Sequence, residues 1–125
     1  MRSHQDVDIF EVPERSTPTY RSVLVDDLGE VVQGALLNTL TLTVLQEYTL
    51  AVVNSRNAQN VLNLNDVAVD VDGNLVWSMN ILDTVILNNA LRKEMHRALF
   101  TWTFNSGTKA GNKEVIIMIT NRVGL

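Results

Sequence analysis

The sequence predicts an all-β fold, an antiparallel β-sandwich, on three observations. Short runs alternating apolar with other residues recur from Thr17 onward, and turn residues separate them. The clearest spans residues 36–44, where Leu40, Leu42 and Val44 point one way and Thr39, Thr41 and Thr43 the other. A period of two is that of a strand with one buried face. Several such runs in a chain of 125 residues suit two packed sheets. Leu40, Leu42, Val44, Trp77, Phe100 and Trp102 are the expected core.

The elements follow in order. Residues 1–18 hold both prolines, Pro13 and Pro18, and only Val7, Ile9, Phe10 and Val12 could anchor them. So polar a stretch cannot fold alone. It is expected to be an extended N-terminal arm, held either by its own domain or by a neighbouring chain. On the second alternative, Ile9, Phe10 and Val12 form a protein interface. The sandwich domain is expected over residues 19–125. Residues 20–25 alternate and end at Asp26-Asp27-Leu28-Gly29, a turn in which Gly29 can take positive φ. Residues 30–33 return briefly, and 48–53 follow the strong strand. Val67, Val69 and Val71 alternate with Ala68 and Asp70. Asp72-Gly73 closes a hairpin, and Leu75, Trp77 and Met79 continue on the return strand. Residues 96–104 place Ala98, Phe100, Trp102 and Phe104 on one face. A glycine-bounded loop is expected at 107–112 and a last strand at 115–120, for seven or eight strands. Residues 55–63, polar and rich in asparagine, read as a loop with one helical turn. In residues 83–95, Val85, Ile86, Asn89 and Ala90 could share a helical face. A crossover with a single turn is preferred, because Asn88-Asn89 is a poor helix interior.

Composition excludes several classes of function. The net charge of −4 and the scatter of the basic residues argue against nucleic acid as a partner. Cysteine is absent, which removes disulfides, thiolate metal sites and cysteine nucleophiles. No apolar run approaches the ~20 residues of a membrane span, so no membrane partner is expected. Met1-Arg2-Ser3-His4-Gln5-Asp6 is polar and mixed in charge, unlike a secretory signal.

The residues that could carry chemistry have simpler structural roles. Asp70-Val71-Asp72-Gly73-Asn74 resembles part of a calcium loop. An EF-hand with glycine sixth would need ligands at Ala68 and Met79, which cannot serve. A turn is the better reading, with a different calcium site from Asp66, Asp70 and Asp72 as the weaker alternative. His4 and His96, the two histidines, lie far apart in sequence, which disfavours zinc; His96 reads as a partly buried residue at a strand start. No serine sits in a nucleophile elbow. The asparagines at 54, 57, 60, 63 and 65 suit turns and left-handed backbone. No catalytic residue, metal site or cofactor is expected, and the chain is not expected to be an enzyme.

A family resemblance takes the reading further. The stretch Val53-Asn54-Ser55-Arg56-Asn57-Ala58-Gln59-Asn60-Val61-Leu62-Asn63 resembles a segment of small proteins from structural gene clusters of tailed bacteriophages and prophages. So does the pairing of Asp72-Gly73-Asn74-Leu75-Val76-Trp77 with His96-Arg97-Ala98-Leu99-Phe100-Thr101-Trp102-Thr103. The stretch from Lys113-Glu114-Val115 to Thr120-Asn121-Arg122-Val123 is similar as well. The resemblance runs from Tyr20 to Val123 and leaves out the first 18 residues. It implies an immunoglobulin-like sandwich serving as a structural or accessory protein of the virion, at head, neck or tail. Such a protein is assembled in the bacterial cytoplasm and docks as repeated copies through strand edges, loops and arm. Its partners would be other virion proteins and copies of itself. The alternative is a tail-tip module recognising a carbohydrate or cell-surface receptor. Buried Trp77 and Trp102 would favour the first, and exposed coplanar rings the second.

Overall fold

A computed structural model describes residues 7–88 and 92–121. Its described residues form eight strands: β1 (Val7–Pro13), β2 (Thr19–Val23), β3 (Leu37–Gln46), β4 (Gln59–Asn60), β5 (Val67–Val69), β6 (Asn74–Ser78), β7 (Lys93–Phe104) and β8 (Lys109–Thr120). One sheet has the order β1-β8-β7-β3-β4 and the other β2-β6-β5. The chain is an all-β sandwich.

Period-two alternation builds the core. Leu40, Leu42 and Val44 of β3 face inward beside Ala98, Phe100 and Trp102 of β7, and Leu75 and Trp77 of β6 meet them from the other sheet. All are buried, Trp102 at 2% exposure and the rest at 0%. The Trp77 ring stands edge-on to Phe100 with centroids 5.5 Å apart, a favoured aromatic geometry. The outer face of β3 and β7 carries threonines, and the Thr39 and Thr103 hydroxyls lie 2.8 Å apart.

Several local expectations are corrected. The sandwich is not purely antiparallel, because β1 runs parallel to β8. The β7–β8 hairpin fixes the direction of β8. β1 finishes at the same end, where the Glu14 amide donates to Thr120 O at 3.0 Å, and the chain then crosses to β2. Residues 7–13 of the expected arm are thus an edge strand of their own sheet. Val12, expected at an interface between chains, is buried in its own core, while Ile9 is exposed. The Phe10 side chain and residues 1–6 lie outside the described structure.

Residues 109–112 belong to β8 rather than to a loop. The turn is confined to residues 105–108, where Asn105, Ser106 and Gly107 all hold positive φ. Gly111 lies within the strand because the Trp102 ring covers it; a Cβ there would meet indole atoms at 2.7 Å. A strand glycine marks such a close approach. Residues 48–53 and 30–33 contribute only isolated bridges, Leu45 to Val52 and Val25 to Val31. Val71, expected in a strand, sits exposed in a turn held by Asp70, whose Oδ1 accepts from the amides of Asp72 and Asn74 at 2.9 Å each. Residues 83–88 contain no helix; Asn89 and Ala90 of the helical alternative lie outside the described residues.

Trp102→Ala should cost about 3–5 kcal/mol, and Gly111→Ala about 1–3 kcal/mol by overpacking against the same ring. Urea denaturation of both variants measures the two losses.

Candidate functional site

The end of the sandwich where β3 finishes and β7 begins holds a buried polar network. Arg56 is 1% exposed, and Gln46, Asp83, Glu94 and His96 are buried with it. Charges are removed from water only where partners replace it. Arg56 meets this condition with all five of its N–H donors. Nε donates to Asp83 Oδ1 at 2.6 Å, and Nη2 to Asp83 Oδ2 and Asp66 Oδ2 at 3.0 Å each. Nη1 donates to Gln59 Oε1 at 2.7 Å and to the Asn65 carbonyl at 3.1 Å. The guanidinium carbon lies 5.7 Å from the centre of a Trp77 ring, within cation–π range. Burial works against the charge on Arg56, but Asp83 and then Asp66 outweigh it and hold its pKa above the ordinary value.

A second buried carboxylate, Glu94, takes four donors. The amides of Leu87 and Asn88 donate to it at 2.9 Å each, and Gln46 Nε2 at 3.1 Å. The His96 ring lies against it, Nε2 at 2.6 Å from Oε2. The ring's other nitrogen lies 3.4 Å from the Asp83 carbonyl oxygen, so His96 stands between the two carboxylate centres. Burial pushes the Glu94 carboxyl up, but the Leu87 amide, His96, Gln46 and the Asn88 amide outweigh it and hold it below 4.5.

Each anchor fixes a turn that exposes apolar side chains. Gln46 Oε1 accepts from the Thr49 amide at 3.0 Å, closing the turn that carries Tyr48 and Leu50, 74% and 63% exposed. Asp83 Oδ2 accepts from the Asn80 amide at 2.9 Å, and Asn80 Oδ1 from that of Leu82 at 2.8 Å. That turn presents Ile81 and Leu82, and Glu94 holds the backbone of exposed Leu87. The loop from Leu50 to Asp66 is the most constrained stretch. Leu50, Asn54, Ser55, Ala58, Asn63, Asn65 and Asp66 all have positive φ. Backbone held in left-handed conformations costs energy and persists where its surroundings fix it.

The sequence-predicted residues take defined places. Leu40, Leu42, Val44, Trp77, Phe100 and Trp102 lie in the core between the sheets, and Ile9 and Val12 lie on the edge strand β1, two strands away from the network, with Val12 at the level of Glu94 through Ile119. Asp66 is engaged by Arg56 and Asn80, and Asp70 by its own turn. His96 is fully buried rather than partly so. Sequence reasoning missed Arg56, Asp83, Glu94 and Gln46. Glu94 carried a readable signal: inward alternation from Phe100 through Ala98 and His96 reaches it. Arg56 and Asp83 lie in loops 27 residues apart and carried none.

Comparison with family models, curated proteins and solved structures finds no match for this chain. The phage resemblance therefore rests on the residue patterns quoted above.

Removing the Arg56 charge leaves Asp83 buried without its counter-ion, so Arg56→Met should cost about 3–5 kcal/mol in a denaturant titration. The pH dependence follows from Glu94. Its pKa is lower in the folded chain than in the unfolded one, so its stabilisation is complete above about 4.5 and is lost as pH falls through the folded value. Melting temperature should therefore drop on acidification below about 4.5. Glu94→Gln should be less stable at neutral pH and show a shallower acid decline.

Proposed function

We propose that this chain is a non-enzymatic structural or accessory protein of a tailed-phage particle, built on an immunoglobulin-like sandwich and fastened to a neighbouring virion protein by its loop end. The observation that carries the docking part is the apolar rim of Tyr48, Leu50, Ile81, Leu82 and Leu87 above the buried network. Exposed apolar groups on a pre-ordered frame bind without much ordering cost. Energy spent on burying Arg56, Asp83 and Glu94 is thereby used to fix the shape of turns that face outward.

The strand order supports the immunoglobulin-like reading. The sheet β1-β8-β7-β3-β4 parallels the A′GFCC′ layer of a variable-type domain, and β2-β6-β5 parallels its BED layer. The chain departs from antibody domains in having no disulfide between the sheets, and tryptophans on β6 and β7 fill its core instead. Residue resemblance supports the virion assignment, with assembly in the bacterial cytoplasm and with virion proteins and copies of the chain as partners. The burial of Trp77 and Trp102 weighs against a carbohydrate platform built on them. Tyr48 is the one exposed aromatic ring among the described side chains, and one ring makes no coplanar pair.

Tyr48→Ser combined with Leu82→Ser should leave the melting temperature within a few degrees of the parent, because both side chains face solvent. Particles assembled in a host supplying only this variant should lack it on a blot. Normal incorporation would show that the loop end does not dock.

A further inference from the structure

β1 is held by one edge only. It ends the five-stranded sheet, pairing with β8, and no strand lies beyond it among the described residues. The pairing is parallel, the weaker kind per residue. Among its described side chains Val12 is buried and Ile9 is 66% exposed. Its side-chain ties are polar and close to solvent. The Tyr20 hydroxyl donates to Asp8 Oδ2 at 2.6 Å, Lys93 Nζ lies 3.3 Å from Glu11 Oε2, and the Thr120 hydroxyl donates to Glu11 Oε2 at 2.7 Å.

The link from β1 to β2, residues 14–18, is short and strained. Arg15 holds φ at 56°, a left-handed conformation that costs a side-chain-bearing residue about 1–2 kcal/mol. Its amide is tied to the Thr84 carbonyl at 3.0 Å, which keeps the turn closed. Pro13 and Pro18 bracket the link, and the residue before a proline favours extended backbone. An extended link would release Arg15. Short strained hinges of this kind favour exchange of the element they carry.

We propose that β1 is exchanged between two copies of this chain. Residues 14–18 straighten, and residues 7–13 of one copy occupy the edge of β8 in the other. The register stays the same, Ile9 opposite Ile116 and Glu11 opposite Met118. The occupant is a second copy because the edge is matched to this strand. A buried seat receives Val12, Thr120 and Lys93 receive Glu11, and Tyr20 receives Asp8. Exchange re-forms the contacts of residues 7–13, and the hinge bonds given up, Arg15 amide to Thr84 O and Thr84 hydroxyl to Ser16 O, are set against the relaxation of Arg15, so concentration decides the balance between monomer and dimer. The exchange uses a sheet edge and its test needs no virion protein, so its failure is distinguishable from a failure of docking, although the hinge is bonded to Thr84 beside the turn that carries Ile81 and Leu82.

The absence of cysteine makes the test direct. One preparation carries Glu11→Cys and another Met118→Cys, facing positions in the β1–β8 register. Unfolded together, refolded at high concentration and bridged with a short bis-maleimide, they should give a covalent heterodimer whose linking peptide joins positions 11 and 118. Sedimentation should show a dimer whose share rises with concentration. A monomer at every concentration, or a dimer without the 11–118 link, would overturn the proposal. If either variant does not fold, Ile9→Cys with Ile116→Cys applies the same test two residues along the register, on the same face. Arg15→Gly leaves every strand contact in place and relaxes the closed hinge. It should shift the equilibrium toward monomer by about 5- to 30-fold per hinge, and an unchanged dimer share would overturn the hinge as its cause.

Discussion

The buried pairing of Arg56 with Asp83 is the constraint on which the loop end depends. A guanidinium and a carboxylate out of water are stable together only when their hydrogen-bonding positions are filled. That requirement draws in groups from three loop segments and from β4: Asn54, the Asn65 carbonyl with Asp66, Asn80, and Gln59 of the short strand. Each group recruited is a point at which a loop loses freedom. The loops are irregular in backbone and well determined in position, which lets left-handed residues accumulate between Leu50 and Asp66.

Glu94 and His96 extend the constraint into the sheet. They lie two residues apart on the inward face of β7, where a strand elsewhere places Ala98 and Phe100. Through them the regular part of the fold is fastened to the turn at 80–83 and to the chain at 87–88. An apolar pair at these positions would bury as readily but leave two loop amides and the Gln46 side chain without acceptors. A buried unsatisfied group costs more than a satisfied one contributes.

The two edges of the five-stranded sheet differ in kind. β4 is two residues long and held by the Arg56 network through Gln59, which leaves little open edge. β1 is seven residues long and, among the described residues, has no strand on its outer side. Proteins usually blunt such an edge with charge, proline or a covering loop. Here Asp8, Glu11 and Pro13 lie along it, which discourages indiscriminate pairing while leaving a matched strand able to bind.

The sequence by itself determined the all-β class, the alternating core and the asparagine-rich loop, because each rests on local pattern. Alternation in β3 and β7 names the inward residues without reference to the rest of the chain, and asparagine tolerates left-handed backbone wherever it occurs. Strand ends were less legible: Gly111 reads as a loop residue until the Trp102 ring is seen above it, and residues 48–53 read as a strand until Gln46 is seen closing the turn. Only the tertiary structure decided that Arg56 meets Asp83, that Glu94 gathers Leu87 and Asn88, and that β1 runs parallel to β8. Those contacts join segments distant in the chain, and a polar residue in a loop carries no periodicity to show whether it faces water or a buried partner. The physical reason is the range of the interactions: propensity and alternation act over a few residues, whereas satisfying a buried charge depends on what folding brings beside it.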